Sequence, residues 1–305
     1  MLEEKHNIKA WFYLLPALFL LIIFTFYPIF NAFYLAFLKD FNYLLRTADG
    51  FTFAENFLRV LRDDLFLRAL WNTLIIVFVS VPVSVIISLL LSVWLNSIKK
   101  LQGFFQTIFF LPYVTNAIAV GMAFAVIFHR EYGLINFLLT QVFGREEAIN
   151  FVGTGASHTM AMLSLLVFIT WGGLAFKIMV FLSGLQSIDK QYYDAARIDS
   201  ASRARIFKRI TVPLLSPMIM YITITSFIGA FKEYTAIVGM FGVDLGPRGD
   251  ANRLITLVGL VYKSLDELDS TGKLSQAAAA AIILFFMTLV LTLFNMYVSK
   301  KRVHY

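Results

Sequence analysis

Cysteine is absent from this 305-residue chain, which excludes disulfides, thiolate metal sites, iron–sulfur clusters and cysteine nucleophiles together. Histidine is almost as scarce. Its four copies, His6, His129, His158 and His304, lie far apart, so no imidazole cluster for a metal is expected. Charge is low as well: 15% of residues are charged and 59% are hydrophobic, where soluble domains average about 25% charged. With a mean hydropathy of +0.75, this composition argues against a soluble globular enzyme. No GxxxxGK[ST] phosphate loop, GxSxG elbow or HExxH helix occurs, so the chain is not expected to hydrolyse ATP or to act as an enzyme. What is present in quantity is phenylalanine, with 32 copies against 13 Tyr and 4 Trp. Phe has no polar handle and suits lipid-facing surface and helix packing. The net charge of +7 reads as the positive-inside bias of a membrane protein rather than a nucleic-acid footprint.

Crossing about 30 Å of hydrocarbon takes roughly 20 mainly apolar residues. Six runs qualify, at about residues 11–38, 69–95, 103–128, 159–185, 212–231 and 274–298, and only Lys177 interrupts them with a charge. The first run follows MLEEKHNIK. It is too long for a signal-peptide core and has no small-residue cleavage site, so it reads as a retained span. With the N-terminus in the cytoplasm, the inside segments carry 13 Lys/Arg against 5 Asp/Glu. The longer outside segments, apart from Lys232 and Glu233 at the end of the fifth run, carry 11 Lys/Arg and 13 Asp/Glu. The opposite orientation runs against the usual bias. The expectation is an all-α integral membrane protein, one domain over residues 1–305, with six transmembrane helices and both termini cytoplasmic.

The longest inside segment is the most informative: SIDKQYYDAARIDSASRARIFKRITVPLLSP, residues 187–217. Asp189 is placed to cap a helix opening with Lys190–Tyr193. Tyr192, Ala195, Ala196 and Asp199 recur at spacings of three and four and so share a face. Ala195, Ala196, Ser200 and Ala201 are small enough to let another surface approach. Four cations over Arg203–Ile210 then lead to Pro213 and Pro217. Periodicity alone leaves two readings open, a partner-docking plug and a basic amphipathic loop resting on lipid headgroups.

The residue types go further. Asp194-Ala195-Ala196, three residues, Ser200-Ala201, then Ile210-x-Val212-Pro213 resembles the "EAA" signature of inner-membrane permeases of binding-protein-dependent ABC importers. The longer run AARIDSASRARIFKRITVPLL resembles the sugar-permease branch, and so, more loosely, do ALWNTL at 69–74, FFLPYV at 109–114, YGLINFLL at 132–139 and AAAAAIILFF near the end. Two positions depart. Asp194 stands where the family usually has Glu, and Ser200 where it usually has Gly. If that backbone needs a positive φ, Ser there costs on the order of 1 kcal/mol.

The resemblance implies the type I importer transmembrane fold and a location in the cytoplasmic membrane of a prokaryote. It implies a carbohydrate substrate, mono- or oligosaccharide, delivered by an extracytoplasmic solute-binding protein. It implies a second homologous permease, expected to be a different chain, and a dimer of ABC ATPases that binds the ATP and Mg, so this chain holds no cofactor or metal. The loop, residues 187–213, is then the coupling helix, with Tyr192, Asp194, Ala195, Ala196, Arg197, Asp199, Ser200, Ala201 and Arg203 facing the ATPase. The substrate-pathway candidates are the polar and aromatic groups a sugar needs: Asn116, Trp171, Lys177, Tyr221, Thr225, Ser226 and Tyr234. For each, ordinary helix–helix hydrogen bonding or an interfacial aromatic is the competing reading. A permease for a non-sugar solute is the alternative within the class. An ion-coupled carrier, the alternative outside it, normally keeps carboxylates or His in mid-membrane, and the six runs contain no carboxylate.

Overall fold

A computed structural model describes residues 7–98, 102–266 and 272–300, with side chains from residue 10 to residue 298 of these. The basic pair Lys99–Lys100, His6, His304 and most of the KKRVHY end lie outside the described residues. Within them every regular element is helical, with only the isolated bridges Leu38↔Phe51 and Asn42↔Thr47 in extended structure. Four helices are long and apolar enough to cross a membrane: Ala10–Ala36, Asp64–Ser97, His158–Ser187 and Lys273–Val298. Two further candidates are bent pairs. Helix α6 (Gln102–Val114) meets α7 (Ala117–Ile127) at 103°, and Arg203–Leu214 meets Ser216–Phe231 at 68°. The third apolar run, 103–128, is thus no single straight helix. Pro112 lies three residues before the break, and Asn116 starts the new helix by accepting hydrogen bonds from the backbone N–H groups of Ile118 and Ala119.

Proline accounts for three of the four π turns among the described residues, all but the one at Leu138–Val142. The first span runs from α1 (Asn7–Leu21) through a π turn at Ile22–Phe26 into α2 (Tyr27–Ala36). The second runs from α4 (Asp64–Ile75), after the short α3 (Glu55–Leu61), through a π turn at Ile76–Ser80 into α5 (Val81–Ser97). A third π turn, Phe207–Thr211, precedes the short helix Val212–Leu214. In each case the proline, Pro28, Pro82 or Pro213, stands at the second position after the π turn. A proline ring clashes with the carbonyl four residues back. That residue, Phe24, Phe78 or Arg209, lies inside the widened turn, where a π bulge moves the carbonyl aside without ending the helix.

The chain divides into two compact units, Leu67–Gly259 with 286–305, and 1–66 with Leu260–Phe285. In the first, α5 packs closely on α10 (Leu174–Ser187). Ser84, Ser88 and Ser92 form a buried stripe at i, i+4 spacing on α5, and the Ser92 hydroxyl donates to the Ile178 carbonyl of α10 at 3.2 Å. Small polar residues that let backbones approach are the usual means of joining membrane helices. Helix α7 crosses α15 (Thr235–Phe241) where Gly121 faces Gly239. A Cβ on Gly121 would lie 2.7 Å from the Gly239 backbone. The fully buried Asn72 amide donates to the carbonyls of Arg253 and Ile255, while its Oδ1 accepts from His158 Nε2 at 2.8 Å. Helix α8 (Leu134–Phe137) and the loop after it are tied by Asn136 in the same manner, through the His129 and Ile149 carbonyls. The Asn of ALWNTL and the Asn of YGLINFLL are therefore buried clamps on loop backbone.

In the second unit, a tongue at 37–53 follows the first span. Its backbone is held by Lys39 N–H to the Gly50 carbonyl and Thr52 N–H to the Phe37 carbonyl, at 2.9 and 2.8 Å. The buried Asn56 amide of α3 caps the end of α2 by donating to the Ala36 and Leu38 carbonyls, both at 2.8 Å. Arg59 pairs with Asp40 and Glu55, and Lys39 pairs with Glu55. The Arg59 hydrogen bond holds the Asp40 carboxyl below its usual range. Helix α16 (Leu257–Asp266) and α17 (Lys273–Lys300) lie partly in each unit. The alanine run of α17 is buried at Ala277–Ala280, and Phe33 of α2 meets Phe285 edge to face.

Candidate functional site

Two places bring the sequence candidates together. The first is α11 (Lys190–Ile198), which follows α10 directly and precedes α12 (Arg203–Ile206), α13 (Val212–Leu214) and α14 (Ser216–Phe231). Its start is the expected one: Asp189 Oδ1 accepts from the Gln191 N–H at 2.9 Å. Its end is a Schellman motif. The Ala201 N–H reaches the Ala196 carbonyl at 2.9 Å, the Ser200 N–H reaches the Arg197 carbonyl at 3.0 Å, and Ser200 sits at φ +55°. This is the left-handed position that glycine normally fills. The strain foreseen at Ser200 is therefore present. Ser200→Gly is expected to stabilise α11 by about 1 kcal/mol. Thermal melting of the purified protein, read beside a glycine placed at exposed Ala204 as a destabilising control, checks the sign.

The two alanines of the signature separate. Ala195 is exposed, while Ala196 is buried and reaches only the floor of the groove beside it. Asp194 and Arg197 pair with each other at 3.2 Å, both well exposed, a contact that contributes little in water and is free to re-pair. Tyr192, Asp199 and Arg203 are exposed, Ala201 is half-buried, and Ser202 caps α12 by accepting from the Arg205 N–H. Asp189, Tyr192, Ala195, Asp199 and Ile210 line a groove of about 420 Å³. The sequence reading missed Ile198, 83% exposed at the end of α11. An isoleucine in a polar loop was its only signal. The Tyr193 hydroxyl lies 3.3 Å from Thr211 Oγ1 and links α11 to the start of the bent fifth span.

The second place is a cavity of about 460 Å³ between α5, α6, α9 (His158–Gly172), α10 and α14. Of the seven pathway candidates, Trp171, Lys177 and Ser226 line it. Lys177 points inward, only 9% exposed, and its Nζ donates to the Gly173 carbonyl at 2.9 Å, where α9 breaks before α10. Asn116, Tyr221, Thr225 and Tyr234 are not among its lining residues. The Asn116 Oδ1 caps α7, and the Thr225 hydroxyl donates to the Tyr221 and Ile222 carbonyls of its own helix. The lining also includes Ser80, Ser84, Tyr113 and Glu233. Ser80 and Ser84 had a legible signal, hydroxyls at i, i+4 on the second span. Glu233 had none beyond being an ionisable group at a span end. Its Oε1 accepts from the Ala236 N–H and starts α15. Hydroxyls, two ammonium groups, one carboxylate and three flat rings line the cavity and can hold a hydroxyl-rich solute.

Comparison with known proteins places these features. Residues 53–304 match the family described as binding-protein-dependent transport system inner membrane component. The chain is 28% identical over 302 residues to the lactose transport system permease protein LacF of Rhizobium radiobacter, covering 99% of this chain and 97% of that protein. It is 31% identical over 296 residues to the arabinooligosaccharides transport system permease protein AraP of Bacillus subtilis, covering 95% and 89%. A chain of a bacterial alginate ABC transporter, crystallised with an alginate-pentasaccharide-bound periplasmic protein, superposes with a TM-score of 0.79 at 20% identity over 97% of this chain and 96% of that one. That likeness establishes the fold. With its apolar helices and most of its length matched, this chain belongs to the family of inner membrane components of binding-protein-dependent transport systems.

Proposed function

We propose that the chain is a permease subunit of an ATP-driven importer for a carbohydrate, spanning the membrane six times with both termini in the cytoplasm. The observation that carries this reading is α11: a capped helix with Ala195 outward, set in a basic loop between two spans. Such a helix suits the cleft of an ATPase subunit and passes its movement to α10 on one side and, through Tyr193 and Thr211, to α14 on the other. In this reading the cytoplasmic ATPases bind ATP and Mg, a second permease completes the pathway, and an extracytoplasmic binding protein delivers the solute. The sugar assignment is supported by relatives named for lactose and arabinooligosaccharides and by the hydroxyls and rings that line the cavity. The test is ATPase activity of the reconstituted complex with binding protein loaded with lactose, arabinooligosaccharides, glycerol phosphate or a polyamine. Stimulation by a sugar alone is expected. Stimulation only by the polyamine would remove the carbohydrate reading.

The pathway is proposed to run through the Trp171–Lys177 cavity. Trp171→Ala should lower transport by roughly tenfold, the loss of one aromatic face against a sugar, with assembly and basal ATPase activity retained. Thr225→Val, whose hydroxyl is satisfied within its helix, should leave transport near the parental rate. A reversed order in a transport assay would move the pathway to the Tyr221–Thr225 face of α14.

A further inference from the structure

We propose that the aromatic cluster at the base of the tongue, formed by Tyr34, Phe37, Phe51 and Phe53, is an interfacial anchor that seats in the headgroup–acyl boundary of the bilayer. Phe51 stacks on Phe37 with ring centroids 5.9 Å apart, and reaches Tyr34, in the last turns of α2, at 6.4 Å. Phe53 meets both Phe37 and Phe51, at 6.1 and 5.7 Å. The returning limb of the tongue therefore lies at the level where the first span ends. Yet Phe53 is 81% exposed, and Phe51 and Tyr34 are each more than half exposed. In water such a patch costs free energy. At the edge of a bilayer, aromatic rings are favoured.

Two observations choose lipid over a water-soluble partner. The patch is continuous with a membrane span that is exposed along the whole of Ala10–Phe30. The last carbonyls of that span are satisfied by the buried Asn56 amide, as a helix end at the margin of the hydrocarbon requires. A docking protein approaches from beyond the headgroups, whereas these rings sit beside the span's final turns. The charges nearby pair among themselves through Arg59, Asp40, Glu55 and Lys39. Residues 37–63 carry four basic and four acidic side chains, so the anchor should not select anionic lipid.

The test uses the intact complex in nanodiscs, in a cysteine-free background, with an environment-sensitive dye on Phe53→Cys and, as a second reporter on the same patch, on Phe51→Cys. Asp49→Cys on the tongue is the water-facing control. Phosphatidylcholine brominated on its upper acyl chains is expected to quench both patch labels roughly two-fold or more. Aqueous iodide should act mainly on the control, and anionic phosphatidylglycerol should not change the pattern. Strong iodide quenching of both patch labels without lipid quenching would overturn the proposal. So would shielding from both quenchers in the complex, which would place the patch against the second permease, shielding that begins only when binding protein is added, or lipid quenching that requires phosphatidylglycerol.

Discussion

Replacing Ala195 with tryptophan is expected to stop transport while leaving the permease folded. The side chain of Ala195 is exposed on α11 and borders the groove with Tyr192 and Asp199. An indole there would project into the groove or beyond it and occupy the volume that the proposed ATPase contact needs. Forcing a large group into a fitted contact costs about 1–3 kcal/mol or more, which weakens docking by about tenfold to a hundredfold or beyond. Transport in proteoliposomes should fall to background and the ATPase should no longer copurify, while the melting temperature of the permease alone stays near parental. Ala195→Ser should behave as the parent. The neighbour makes the control: Ala196 is buried, so a tryptophan there should damage the permease itself. Full transport with normal ATPase yield in Ala195→Trp would end the coupling assignment.

Gly121→Leu is expected to be the most destabilising single change in the larger unit. The crossing of α7 and α15 leaves no room for side chains at the contact. A Cβ on Gly121 would meet Gly239 C and Cα at 2.7 Å, and one on Gly239 would meet Gly121 Cα at 3.1 Å. These are backbone atoms and cannot swing aside, so the helices must separate. Even Gly121→Ala should cost about 1–3 kcal/mol, lowering the melting temperature by several degrees, and leucine should prevent recovery of folded protein. Because the Glu233 carboxylate holds the first turn of α15 and α7 lies beside α9 through Phe124, whose ring is 5.0 Å from Trp171, the alanine variant should also lower transport. A parental melting curve for Gly121→Leu would show that the two helices do not cross there.

The residues that could be read in advance share a physical property: their roles are local. An apolar run of about 20 residues must cross or hide from water whatever its neighbours do, so the spans at 11–38, 69–95, 159–185 and 274–298 were legible at once. Caps act within one helical turn. Asp189 at the start of α11 followed from residue type and spacing, while the left-handed position of Ser200 at its end was raised only by the family's usual glycine there; the structure has both. The prolines announced irregular helix, though not that Pro28, Pro82 and Pro213 would each sit just past a π turn.

Roles set by distant contacts could not be read. Whether Lys177 reached for the membrane surface or the bundle depended on α9 breaking at Gly173, whose carbonyl it meets. Asn116 and Thr225 had the chemistry of sugar ligands, but neither lines the cavity, because packing between helices sets which face of a bent span turns inward. Ala195 and Ala196 are alike in sequence, and only the packing beneath α11 made one surface and the other core. The cavity takes residues from segments far apart in the chain. Sequence alone thus determined that this chain carries apolar helices long enough to cross a membrane and a capped helix between two of them, because hydrophobic length and capping are properties of adjacent residues. Tertiary structure alone decided which polar groups share a cavity, because residues from segments far apart in the chain meet there only through helix packing.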